Sequence, residues 1–281
     1  MSVEPLRGLG IWIWDWNACE GGDLTKILAR CTEWGVSWVA LKCGEKTPNT
    51  QVTPARIAAL RAGGVECALW WYSHPSSVDA EISYLTDFVI RCGAQHLIMD
   101  AEEPWEREAT DWSKGHDWRR EAASYAQRLR AAVGPDIYLA DAPWARPKSH
   151  GGTFPYAEFG AVMNARHPQF YWELAEVAGE PFTHFVATAD LQWAERAPGE
   201  IICPIGSCVD AQGATHCPPS ELAAFDDRYS ARQARSIWSW QHLNSAERAL
   251  LEQRQRARLT ADTSNAPVYM APEPTDRDTL G

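Results

Sequence analysis

No block of basic residues interrupts this chain of 281 residues, whose formal net charge is -11. A phosphate-backbone partner recruits clustered Lys and Arg, so a nucleic-acid role is excluded. Also missing is any apolar run near the ~18–20 residues that span a bilayer. Met1-Ser2-Val3-Glu4-Pro5-Leu6-Arg7 has neither the basic nor the apolar region of a secretory signal. The expectation is a soluble protein without a membrane span, cytoplasmic as made unless exported by another route. The sequence contains no phosphate-cradling glycine loop, no serine nucleophile elbow and no His-rich metal pattern. No cofactor and no metal is expected.

Cysteine is present without the spacing of a metal site. Cys19, Cys31, Cys43, Cys67 and Cys92 are spread through regular elements and read as buried free thiols. Cys203, Cys208 and Cys217 flank one loop beside His216, which leaves a disulfide or an adventitious metal open there. Tryptophan is the outlier, with 15 residues, many of them near expected strand ends. Packing accounts for some. Indoles at sheet edges also suit the C–H faces of sugar rings.

Short apolar runs alternate with amphipathic stretches along the chain. Leu9–Trp14, Ser37–Cys43, Val65–Tyr72, His96–Asp100, Asp136–Asp141, His167–Trp172, Glu200–Gly206 and Ser236–Gln241 read as strands, each followed by a helix. Asp23 caps the first helix and Gly35 stops it; Thr53-Pro54 opens the second and Gly63-Gly64 ends it. Such a series predicts an α/β protein, a (β/α)₈ TIM barrel over residues 1–258. From Leu259 to Gly281 the composition turns to Thr, Asp, Ser and Pro, giving an extended or disordered C-terminal tail that could dock on a partner or mediate self-association.

The centre of the reading is His96-Leu97-Ile98-Met99-Asp100-Ala101-Glu102-Glu103-Pro104-Trp105. Strand side chains alternate between faces, so Asp100 and Glu102 point into one space. In a parallel barrel that space is the crater at the C-terminal ends of the strands. The other strand ends bring Trp14 and Asp15, then Lys42 and Glu45, then Trp71 and Tyr72. Beyond the acids come Asp141 and Trp144, Gln169 and Tyr171, and finally Trp240 and Gln241, with Trp105 as an apolar wall. Carboxylates, amides and indoles together suit glycoside chemistry, in which one carboxylic acid protonates the leaving oxygen and a second carboxylate stabilises the developing cation. Glu102 has the longer reach and is the expected proton donor. Asp100, deeper, is expected to stay ionised and to stabilise charge or orient an acetamido group. Asp15 and Asp141 are candidate third acids.

The succession of an aromatic-rich first strand, Val39-Ala40-Leu41-Lys42, Trp70-Trp71-Tyr72, Asp100-Ala101-Glu102, a Tyr138-bearing fifth strand and Trp240-Gln241 resembles the glycoside hydrolase family 25 lysozymes. It is also similar to uncharacterised glycoside-hydrolase-like barrels of bacteria and phages. The similarity runs over about residues 8–245, and its specific motif is Asp-x-Glu. That resemblance implies Glu102 as catalytic acid, Asp100 as its assistant and a polysaccharide such as peptidoglycan as substrate. The family's first-strand aspartate corresponds here to Trp12, with Asp15 three residues on. The departure keeps a second reading in view: a catalytically silent barrel that binds carbohydrate or serves in a virion or surface assembly.

Overall fold

The computed structural model describes residues 3–107, 117–173, 179–207, 209 and 216–264. Its strands are β1 (Gly8–Ile13), β2 (Val36–Glu45), β3 (Thr47–Pro48), β4 (Glu66–Tyr72), β5 (His96–Asp100), β6 (Tyr138–Asp141), β7 (Ala165–Arg166), β8 (Gln169–Phe170), β9 (Ile205–Ser207) and β10 (Ala234–Trp238). Between them lie α1 (Leu24–Trp34), α2 (Pro54–Ala62), α3 (Val78–Cys92), α4 (Trp118–Val133), α5 (Pro147–His150), α6 (Tyr156–Gly160), α7 (Phe182–Arg196), α8 (Pro219–Tyr229) and α9 (Ser245–Ser264).

The expected caps form. Asp23 accepts from the N–H groups of Thr25 and Lys26, Thr53 accepts from that of Arg56, and Gly35 closes α1 in the left-handed region at φ 68°. The C-terminal helix continues to Ser264, past the boundary expected at Leu259. The remainder of the proposed tail lies outside the described residues, as does Cys208.

The parallel sheet runs in the order β7-β6-β5-β4-β2-β1-β10-β9-β8, with β3 folded back antiparallel on β2. It is a TIM-barrel-type curl, and its two ends meet in one stretch of chain. β7 pairs with β6, β8 pairs with β9, and only His167 and Pro168 separate the two pieces. The expected sixth strand is therefore broken at Pro168, which has no N–H to donate to a ladder. The barrel is curled but not closed by a continuous ladder.

Two cores result. One lies between sheet and helices and collects Ile11, Ile13, Leu41, Leu69, Trp71, Leu97, Met99 and Leu139 with helical residues such as Ile27, Phe88 and Leu129. The other fills the lumen with Trp12, Trp38, Ala40, Trp70, Ile98, Tyr138, Ala140 and Ala234, and takes nothing from any helix. The period of two along each strand thus decides which side chains reach the crater. Cys19, Cys31, Cys43, Cys67, Cys92 and Cys203 are buried free thiols. Burial alone pushes the Cys31 thiol up to about 12.

Candidate active site

Asp100 is the last residue of β5 and faces the lumen, in step with His96 and Ile98. Glu102 follows two residues later on the same side. Their meeting point is Gln169 of β8, whose Nε2 lies 2.8 Å from Asp100 Oδ1, 2.8 Å from Glu102 Oε1 and 3.0 Å from the Ala142 carbonyl. Two carboxylates thus share one amide and can be no further apart than two hydrogen bonds. Pro168 matters here, because the break it makes frees Gln169 to pair with β9 while its side chain reaches across to β5.

Burial raises the pKa of both acids. For Asp100 the charge of Glu102 adds to burial, against a partial offset from the Lys42 ammonium and the Gln169 hydrogen bond. For Glu102, hydrogen bonds from Gln169 and Asp100 oppose the burial. Asp100 therefore has the stronger reason to hold a proton. This reverses the expectation that the deeper carboxylate stays ionised. Its shorter side chain is the more deeply buried of the two.

The dyad opens on a cavity of about 450 Å³ lined by Trp14, Lys42, Glu45, Trp70, Tyr72, Trp144, Tyr171, Glu173, Val209 and Trp238 as well as Gln169. Trp70 and Trp238 meet edge to face at 5.4 Å, and Trp12 packs beneath both. Lys42 donates to Glu45 Oε2 at 2.9 Å and stands 5.2 Å from the ring centres of Trp14 and of Trp70. Burial pushes Glu45 up, but Lys42 and His74 outweigh it and leave the carboxyl below its ordinary value. Glu45 is thus the ionised acid facing the dyad.

Of the residues singled out from sequence, Asp100, Glu102, Trp14, Lys42, Glu45, Tyr72, Trp144, Gln169 and Tyr171 come together in this crater. Others face away. Asp15 is exposed, accepts from the Asn17 N–H at 2.8 Å and borders a neighbouring cavity, so it does not meet the dyad. Trp71 points outward and donates to Glu81 and to the Tyr125 hydroxyl, each at 3.1 Å. Trp105 is buried too, stacked on Tyr125 at 5.3 Å with its indole N–H on the Ser73 hydroxyl. It packs behind the sheet and is no wall for Glu102. Asp141, fully buried on the outer face, holds Arg166 through Oδ1 at 2.5 Å and Oδ2 at 2.7 Å. Trp240 is buried against Trp34 at 4.8 Å. Gln241, with its amide oxygen turned toward β1, accepts from the backbone N–H groups of Trp14 at 2.8 Å and Asp15 at 2.7 Å. Trp70, Glu173 and Trp238 were missed. The first and last were findable: Trp70 lies two residues before Tyr72, and Trp238 keeps step with Ala234 and Ser236.

Among the described residues no group of His, Cys, Asp and Glu is arranged to hold a metal ion, and no helix is long and apolar enough to cross a membrane. No protein-family model and no curated protein matches the chain. Solved structures do. The glycoside hydrolase domain of PgaB (BpsB) from Bordetella bronchiseptica superposes with a TM-score of 0.63 at 10% identity, covering 90% of this chain and 98% of that one. The shared fold is a TIM-type barrel. A hyperthermostable endo-1,4-beta-D-mannanase from Thermotoga petrophila RKU-1 gives 0.62 at 8% identity over 90% of this chain and 100% of its own. A xylanase and alpha-amylase inhibitor protein from Scadoxus multiflorus gives 0.54 at 12% identity, covering 91% and 99%. Hydrolases and an inhibitor share this barrel fold, so the fold alone assigns no activity and the side chains decide it.

Proposed function

We propose that the protein is a glycoside hydrolase acting on a polysaccharide of 2-acetamido sugars, chitin-like or peptidoglycan, with Glu102 as general acid and Asp100 as its partner. One observation carries this: two lumen-facing carboxyls share the Gln169 amide in an indole-lined cavity, and burial raises the pKa of both. The Gln169 contact holds them too close for the ~6.5–9.5 Å gap that an inverting pair leaves for water. Asp100, buried and inclined to keep its proton, is a poor nucleophile at rest but a good hydrogen-bond partner for an acetamido group. Once an acetamido group engages Asp100, its proton passes to Glu102, the longer acid, which then delivers it to the leaving oxygen. The acetamido group of the sugar itself then assists departure, as in substrate-assisted glycosidases.

The test is reducing-end release from chitin oligosaccharides and from peptidoglycan by wild type and Glu102→Gln. A loss of about 10²–10⁴-fold is expected. Equal rates would remove the mechanism. The exposed position of Asp15, outside the crater, favours the second reading, a carbohydrate-binding barrel without turnover. Wild-type protein that binds these sugars and releases no reducing ends would establish it.

A further inference from the structure

A second cavity, of about 710 Å³, adjoins the crater and shares Trp14, Lys42 and Glu45 with it. Both volumes lie in the range of ligand sites. Its far wall exists because β2 runs past the rim of the barrel and returns as β3. We propose that this cavity is a second saccharide subsite, that Trp14 is the platform joining it to the crater, and that the ligand is an uncharged sugar chain bound at internal units. The inference rests on the carbohydrate reading of the crater given above.

Trp14 is 49% exposed, while most other tryptophans in the described residues are buried. An indole left in water at a rim is an unused stacking face. It is not loosely held. Gln241 accepts from its backbone N–H at 2.8 Å, Gln51 donates to its carbonyl at 3.0 Å, and the same Gln51 amide reaches the Lys42 carbonyl at 2.7 Å. The Gln51 oxygen takes the Trp16 N–H at 2.9 Å. Two glutamine side chains thus fix the turn that carries the ring, and a fixed platform spends little ordering entropy on binding.

The lining sets the ligand class. Asn17, Thr47, Asn49 and Thr50 offer neutral amides and hydroxyls. The charged groups are already engaged: Lys42 with Glu45 at 2.9 Å, Asp15 with the Asn17 N–H at 2.8 Å, and Arg56 over the Trp16 ring at 4.3 Å. Hydroxyl and acetamido groups fit such a surface better than a carboxylate or an ammonium. A chain lying across both cavities is cut internally, not trimmed from one end.

Titration calorimetry of the Glu102→Gln protein with N-acetylglucosamine oligomers of increasing length tests this. Affinity is expected to rise at least about tenfold from dimer to hexamer, and both Trp14→Ala and Thr50→Trp, which fills the outer cavity alone, are expected to reduce that ratio. Affinity that does not change with length, or variants that weaken dimer and hexamer by the same factor, would overturn the subsite. Length-dependent binding with a wild type that releases no reducing ends would uphold the subsite and remove the hydrolase reading. Cleavage with flat binding would do the reverse.

Discussion

Glu102 and Gln169 meet at 2.8 Å although β5 and β8 share no ladder. The contact sets the proton affinity of the acid pair. An N–H donor favours the ionised carboxylate and so lowers its pKa, opposing the rise that burial imposes. In Gln169→Leu this opposition is gone and both apparent pKa values rise. The pH–rate profile is expected to move to higher pH on both limbs, with kcat reduced by at least tenfold. A profile that keeps its position would show that Gln169 only fills space.

Asp141 sits at the same height as the dyad and belongs to the other face. Its carboxylate is wholly consumed by Arg166, which is itself buried and reaches Glu200 at 3.1 Å. Asp141→Asn strands that guanidinium without a full counter-charge. Removing one partner of a buried pair costs about 3–5 kcal/mol. The expected result is a large drop in the urea midpoint with kcat per folded molecule retained. Normal stability with lost activity would place Asp141 in the chemistry after all.

Those two residues show where sequence reading succeeds and where it stops. The alternation of strands and helices, the caps at Asp23 and Thr53, and the common face of Asp100 and Glu102 all follow from local periodicity. So does the rejection of Trp71 and Asp141, had the period of two been carried from strand to strand: Trp70 and Tyr72 face inward, hence Trp71 cannot, and Tyr138 and Ala140 exclude Asp141 likewise. What periodicity does not supply is long-range partnership. That Gln169 would join the two acids depends on how the curl meets itself at Pro168, and that Trp105 would lie behind the sheet depends on Tyr125 and Ser73 arriving from elsewhere. Gln241 was read as a ligand contact because its alternative partners, the N–H groups of Trp14 and Asp15, are remote in sequence.

The C-terminal helix is anchored by charge. Asp226 of α8, buried, receives Arg235 at 2.5 Å, Arg254 at 2.7 Å and also Arg258. Burial pushes its pKa up, but Arg235, Arg254 and Arg258 outweigh that and hold the carboxyl below its usual value. A depressed carboxylate contributes stability that is present above its unfolded pKa and lost as pH falls through the folded one. Asp226→Asn is expected to remove that contribution at neutral pH and to raise hydrogen exchange across residues 245–264 first. Unchanged exchange there would mean that α9 is held by apolar contact alone.

His167 provides the complementary acid-side device, and it lies at the seam of the barrel. The ring is fully buried between β7 and β8, with Nε2 3.0 Å from the Tyr138 hydroxyl. Burial brings its pKa from 6.5 down to about 3. Below pH 6.5 the unfolded chain takes up a proton that the folded chain refuses, so the folded state loses free energy steadily as pH falls toward 3. Above that window the residue has no pH-dependent effect. His167→Gln keeps a polar partner for Tyr138 and removes the titration. Its urea midpoint is expected to fall less than that of wild type between pH 7 and pH 4, even if the variant starts lower at pH 7. Parallel curves for the two proteins would show that the seam opens to water before His167 is forced to ionise.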